Sequence, residues 1–186
     1  MKSIEHVNRE KTRVMIRSTV SVFMTHFHLG EVIDLGTRTG YAVELLKSAG
    51  YDAMGVEIEK EYVDYAVEKG LNVIVDDIMD SKLPSNKFDL VYSRHVLEHC
   101  EDTKRFFETC ERILKPKGSV FITFPTQKLT TFKKKPKDHK VCFETIGDFK
   151  KVVKMTNFSI THLDYSERSG IIPLKKEILL IAKVKK

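Results

Sequence analysis

Asp34, Glu57 and Asp77 are three carboxylates, each at the end of a short apolar run, and their spacing suits the grip of a nucleoside. Between the first two lies the turn "DLGTRTG", with Gly36 and Gly40 at its corners. Gly36 permits a tight reversal, and Gly40 lets the following helix come close to the preceding strand. The first turn of that helix presents unbonded N–H groups and a positive dipole end, suited to a carboxylate or a phosphate. Glu57 stands about 20 residues past the turn, where a carboxylate accepts both hydroxyls of a ribose. Asp77 is placed to accept from the exocyclic amine of an adenine. Each acid alone reads as an ordinary solvated loop residue. Together, at successive strand ends, they describe a pocket for an adenosine carrying a small charged tail.

The elements that must position these residues follow from hydropathy. Ile16, Val20, Phe23 and Phe27 recur at helical spacing, which predicts an N-terminal helix ending before Gly30. Val32–Leu35 reads as the first strand, and Ala42, Leu45, Leu46 and Ala49 mark a helix stopped by Gly50. "YDAMGVE", "LNVIVDD", "FDLVYS" and "SVFITF" read as further strands. Helices fall on "KEYVDYAVEKG", on the stripe Phe106, Phe107, Cys110, Ile113 and Leu114 closed by "KPKG", and on a segment opened by Thr145 and Asp148 as a capping box. "NFSITHLDY" and "EILLIAKV" close the chain as two strands with no helix between them, which predicts an antiparallel edge. Strands alternating with helices imply an α/β fold with a doubly wound, largely parallel sheet, whose ligand sits beyond the carboxyl ends of the strands.

The chain of 186 residues fits a single domain over 1–186, with an N-terminal helical extension over 1–29 and a basic loop over 126–142 as a candidate lid. A composition of 41% hydrophobic and 31% charged residues is that of a globular protein, and no apolar run approaches a membrane span. The polar N-terminus does not resemble a secretory signal. Cys100, Cys110 and Cys142 are odd in number and lack a close pair, so reduced thiols and a cytoplasmic location are expected, with no metal. The net charge of +6 lies largely in "KLTTFKKKPKDHK" and "KVKK". It suits an acidic or neutral partner as well as it suits simple solubility, and RNA is not specifically indicated.

"VIDLGTRTGYAVELL", "GVEIEKEYVDYA", "VIVDDIMDSKLPSNKFDLVYSRHVLEH" and "ERILKPKGSVFITFP" resemble, in order, the motifs of the class I S-adenosylmethionine-dependent methyltransferases, especially the subgroup acting on small molecules. The resemblance covers roughly residues 30–125. It implies a Rossmann-like, seven-stranded sheet of order 3-2-1-4-5-7-6, strand seven antiparallel, flanked by helices. It also implies S-adenosyl-L-methionine as cofactor and S-adenosyl-L-homocysteine as product. Gly36 and Gly40 would shape the turn, with Thr37 and Arg38 between them. Asp34 would face the methionine ammonium through water, Glu57 with Ile58 the ribose, and Asp77 with Ile78 the adenine. Ser93 and Arg94 would border the transferred methyl. Two positions depart from the family: its middle glycine is Arg38, and its "KPGG" is "KPKG". Arg38 is expected to take a negative φ with its side chain pointing away.

Rival motifs draw on the same residues. The dinucleotide fingerprint G-x-G-x-x-G fails, since its second and last glycines would be Arg38 and Tyr41. "HVLEH", His95 to His99, matches an inverted zinc-protease motif if both histidines share a helix face. The position after a strand favours a packing or pocket-rim role for Glu98 and His99 instead. The place after strand four reads "SRHV", not the motif of amino-methylating DNA enzymes. The expected function is methyl transfer to a small or medium-sized N or O acceptor. A non-catalytic cofactor-binding module of the same fold, or an RNA-directed enzyme, is the alternative. Candidate bases, by location, are His139, His99, His95 and Tyr92. Oligomeric state is not readable.

Overall fold

The computed structural model describes residues 9–125, 140, 143, 145–166 and 177–185. In chain order the elements are α1 Glu10–His26, β1 Glu31–Leu35, α2 Tyr41–Ser48, β2 Asp52–Glu57, α3 Lys60–Glu68 and β3 Val73–Val75. Then come β4 Phe88–Arg94, α4 Thr103–Ile113, β5 Leu114–Pro125, α5 Ile146–Lys154, β6 Phe158–Ser166 and β7 Glu177–Val184. The strands form one seven-stranded sheet of order β3-β2-β1-β4-β5-β7-β6. β1 pairs in parallel with β2 and β4, β2 with β3, and β4 with β5. β7 runs antiparallel to both β5 and β6. This is the sheet the motifs imply.

Alternation along the strands sends side chains to two layers. On one face Ile33, Leu35, Val91, Ile122 and Leu180 pack under α4 and α5, against Phe106, Phe107, Cys110 and Phe149, all buried. On the other, Val32, Leu90, Tyr92, Phe121 and Ile181 pack under α1 and α2, against Val20, Phe23, Val43 and Leu46. The predicted stripes of α1 and α4 are therefore the buried faces of those helices.

The caps are local. Asp102 accepts from the N–H groups of Lys104 and Arg105 at 2.9 and 3.1 Å, opening α4. Thr145 accepts from Asp148 N at 3.1 Å, and its hydroxyl bonds the Asp148 carboxylate at 2.8 Å, opening α5 as the capping pattern predicts. Gly50 closes α2 at φ +94°.

One boundary differs from the sequence reading. "KPKG" is not a loop after α4, because β5 already begins at Leu114, which pairs with Phe88. Pairing resumes at Leu90 with Ser119, so the segment holding Pro116 and Lys117 bulges out of the ladder. A bulge is where proline, which lacks an N–H, is tolerated in a sheet.

Candidate cofactor and acceptor site

The turn after β1 is built around its backbone. Gly36 N–H and Thr37 N–H both donate to Val56 O, at 2.9 and 3.0 Å, tying the turn to β2. Gly36 has φ +73°, and a Cβ there would lie 2.4 Å from Val96 Cγ2. Gly40 has φ +76°, and its Cβ would lie 2.7 Å from Leu71 Cδ1. Glycine is required at both corners, for backbone conformation and for space.

Arg38 differs from expectation. Its φ is +52°, so the residue that replaces the family's middle glycine keeps a glycine-like conformation. Arg38 is exposed, and its guanidinium acts electrostatically on Glu98, favouring the charged carboxylate. Left-handed backbone costs a side-chain-bearing residue about 1–2 kcal/mol, partly offset by the lower freedom of arginine in the unfolded chain. Arg38→Gly is therefore expected to raise stability by about 0.5–1 kcal/mol in urea denaturation while leaving the turn intact.

Glu57 closes β2 and is buried. Its Oε2 accepts from Arg38 N–H at 2.9 Å, and its Oε1 from Ile58 N–H at 2.8 Å and Glu59 N–H at 3.1 Å. One carboxylate thus fixes the turn after β1 against the turn after β2. Each carboxylate oxygen offers about two acceptor sites, so Oε2 retains capacity for a hydroxyl. Ile58 beside it is 60% exposed, an apolar surface suited to a flat ring. Asp77 follows β3, exposed, with Oδ1 accepting from Met79 N–H at 2.8 Å as a cap on a short 3-10 turn at Ile78–Asp80.

Asp34 is almost fully enclosed. Burial pushes its carboxyl up to about 7, against a partial offset from the neighbouring Thr37 hydroxyl. A carboxyl held this way gains from any cation brought beside it. The exposed Ile58, the spare capacity on Glu57 and the under-compensated Asp34 together fit a nucleoside with a cationic tail.

The end of β4 carries a second polar group. Ser93 lies level with Leu35 of β1 and is wholly buried, with Oγ lacking a hydrogen-bond partner. Arg94 Nη2 is 3.8 Å from Glu177 Oε1 at the start of β7. His95 takes φ +58°, its N–H donating to Thr123 O at 2.8 Å, and its Nε2 lies 2.5 Å from Glu177 Oε1. Glu98 Oε1 is 3.9 Å from His95 Nδ1. Glu177 escaped the sequence reading. It is an acid at the start of a C-terminal strand, and nothing but the antiparallel insertion of β7 brings it to β4.

The histidines and the tyrosine depart from what the sequence suggests. His95 and His99 do not share an α-helix face: a left-handed residue at His95 is followed by a single 3-10 turn, Leu97–His99. Among the described residues no cluster of three or more potential metal ligands occurs. Tyr92, a candidate base by location, is not placed to act as one. Its ring stacks on Phe121 at 5.7 Å and meets Phe23 edge-on within the core under α1, and burial drives its phenol well above the usual range. His139, with nearly all of the basic loop, lies outside the described residues, and so does Cys142. Cys100 and Cys110 are buried free thiols, pushed up to about 12 and further by burial.

A doubly wound sheet with this strand order, a glycine turn after β1 and acids after β2 and β3 defines the class I S-adenosylmethionine-dependent methyltransferase architecture. The sequence profile of the family described as "Methyltransferase domain" matches residues 33–122. The chain belongs to that family of class I methyltransferase domains. It is 30% identical over 141 residues to a phosphoethanolamine N-methyltransferase of Plasmodium falciparum, covering 69% of this chain and 53% of that protein. It is 28% identical over 109 residues to a ubiquinone biosynthesis O-methyltransferase of Methylococcus capsulatus, covering 55% of this chain and 46% of that one. The chain therefore spans about half the length of these curated relatives. A Pyrococcus horikoshii protein of known crystal structure shares the fold at a TM-score of 0.80 and 19% identity, covering 96% of this chain and 93% of that chain. Among the described residues no helix is long and apolar enough to cross a membrane.

Proposed function

We propose that the protein binds S-adenosyl-L-methionine at the carboxyl ends of β1, β2 and β3 and transfers its methyl group to a small or medium-sized nitrogen or oxygen acceptor. The observation that carries this reading is Glu57. It is a buried carboxylate that locks two neighbouring turns and still offers acceptor capacity toward the space between them. Glu57 and Ile58 would hold the ribose, Asp77 and Ile78 the adenine, and Asp34 the ammonium. The sulfonium supplies an already activated methyl. The protein's task is to align the acceptor with the S–CH3 bond and to exclude water, an effect that supplies about 7–11 kcal/mol in well-oriented systems.

Calorimetric titration with S-adenosylmethionine as a function of pH tests the cofactor site. Asp34 stands at about 7 even with Arg94 favouring its charged form. A bound ammonium favours the carboxylate and lowers that value, so binding releases a proton below pH 7. Affinity is expected to rise about tenfold per pH unit up to about 7 and to level off above it. Tighter binding of NAD(H) than of S-adenosylhomocysteine would reject the site assignment.

A second reading, a cofactor-binding module without transfer, draws on Arg38, whose strained backbone and charge stand at the turn where the family keeps glycine. Incorporation of labelled methyl into any acceptor removes it.

A further inference from the structure

Asp77 and Ile78 sit in a loop over residues 76–83, and one side of that loop is held by α4. The loop is laced to itself. Asp76 accepts from Ser81 Oγ at 2.6 Å and from Lys82 N–H at 3.3 Å, and Ser81 Oγ accepts from Leu83 N–H at 3.2 Å. Its start is tied to β2, since Asp76 N–H donates to Glu57 O at 3.1 Å. Within it, Asp77 Oδ1 accepts from Met79 N–H at 2.8 Å, and Asp80 N–H donates to Asp77 O at 2.9 Å. A carboxylate has about four acceptor sites, so Asp77 keeps capacity for an outside donor.

α4 carries two stripes. Phe106, Phe107, Cys110 and Ile113 enter the core. Arg105, Thr109 and Arg112, spaced four and three residues apart, share another face and meet the loop. Thr109 is 8% exposed, and its Oγ1 donates to Ile78 O at 3.0 Å. A threonine inside a helix ordinarily turns its hydroxyl back onto the carbonyl one turn earlier, so this hydroxyl is spent outside its own helix. Arg112 donates from Nη1 to Leu83 O and from Nη2 to Ser81 O, the latter at 2.8 Å. Arg105 Nη2 is 3.7 Å from Asp80 Oδ1, but both side chains are more than half exposed, and such a pair contributes little. A half-buried carbonyl left without its donor costs more than an exposed ion pair, so Thr109 ranks first, Arg112 second and Arg105 last.

Resting on the cofactor assignment made under the proposed function, we propose that Thr109 is a positioning residue for the nucleobase, assisted by Arg112. Thr109 acts through Ile78 and not on the methyl donor itself. It holds the turn Ile78–Asp80 against α4, and that turn is capped by the same carboxylate that accepts from the adenine amine. A binding group keeps its geometry only if the residues behind it are themselves fixed. Without the hydroxyl, the turn loses its tie to the helix and Asp77 its fixed direction. Preference for adenine is thus set from the helix behind the loop, while the ribose contact on Glu57 does not depend on it.

The test is calorimetric titration of the whole chain with S-adenosylhomocysteine and with its analogue bearing purine in place of adenine, which lacks only the exocyclic amine. The unaltered protein is expected to prefer the adenine compound by roughly 10- to 100-fold. Thr109→Val, close in shape and without the hydroxyl, should cut that preference about tenfold through weaker binding of S-adenosylhomocysteine, with the purine analogue held within about threefold. Thr109→Ser, which keeps the hydroxyl, should restore the preference to within about twofold. Arg112→Gln, at an exposed side chain, should cut it about threefold. A folded Thr109→Val protein that keeps the original preference, or that weakens both ligands alike, overturns the positioning role. If Thr109→Val does not fold, an unchanged preference in Arg112→Gln overturns it. Equal binding of the two ligands by the unaltered protein overturns this inference and the Asp77 assignment and leaves the methyl-donor site standing. Failure to bind S-adenosylhomocysteine overturns both.

Discussion

Asp34→Asn is expected to stabilise the ligand-free protein by about 2 kcal/mol at pH 8 while weakening its hold on S-adenosylmethionine by roughly 10- to 100-fold. The stability half follows from linkage. Burial raises the folded-state value from 3.8 to about 7. Between these values the unfolded chain has already released the proton and the folded chain still holds it, so stability falls as pH rises from about 4 to about 7. Above 7 the folded protein carries an enclosed carboxylate at full cost. That cost is about 1.4 kcal/mol for each factor of ten in the acidity lost on folding, less whatever the asparagine amide fails to satisfy. Asparagine has the same shape and no charge to enclose. Urea melts of the two proteins should therefore diverge at pH 8 and converge near pH 4. The affinity half follows from the lost carboxylate, and the pH dependence of binding should flatten in the variant. An Asp34→Asn protein that is no more stable at pH 8 would show that the carboxyl is better solvated than its enclosure implies. A stabilising substitution at a binding position is the usual mark of a site that trades stability for function.

Glu57→Ala should act in the opposite sense on stability and in the same sense on binding. The substitution strands the N–H groups of Arg38, Ile58 and Glu59, all of which Glu57 now satisfies. Hydrogen bonds to a charged group contribute about 1.5–3 kcal/mol, so roughly 1–3 kcal/mol of stability should be lost after water reaches the exposed donors. The proposed ribose contact would go too, and cofactor affinity should drop by roughly 10- to 100-fold. Glu57→Gln separates the two contributions. It keeps one acceptor oxygen for a turn, but its amide NH2 faces backbone donors, so one of the two turns loosens. Calorimetry with S-adenosylhomocysteine on Glu57→Ala, beside its thermal melt, reads both effects. Unchanged affinity in a folded variant would remove the ribose assignment.

The placement of the candidate cofactor residues at strand ends was legible in the sequence because those parts are local. Gly36, Gly40, Glu57 and Asp77 each sit within a few residues of a strand end, and parallel strands with short connections place consecutive ends side by side. Hydropathy alone marked the strands, and the buried stripes of α1 and α4 followed the helical period. The polar cluster around His95 was not legible for the complementary reason. Glu177 meets His95 across 82 residues of chain, through an antiparallel insertion that no local pattern specifies. Proximity to the strand end alone does not reveal the side on which Tyr92 lies; period-two alternation along β4 does. Tyr92 shares a face with Leu90 and is covered by α1, whereas Arg94, two residues on, meets Glu177 at the start of β7. Arg38 misled because a non-glycine was assumed to avoid positive φ. The hydrogen bond from its N–H to Glu57 holds it there regardless of its side chain.

The late arrival of β7 has a consequence for the protein as it is made. A nascent chain that has emerged through β4 already carries Asp34, the glycine corners, Glu57 and Asp77 on neighbouring parallel strands and their turns. The imidazole at the end of β4 gains its carboxylate partner when the last strand slots between β5 and β6. The residues proposed to hold the donor thus lie in strands made early, while the approach of Glu177 to Arg94 and His95 awaits β7.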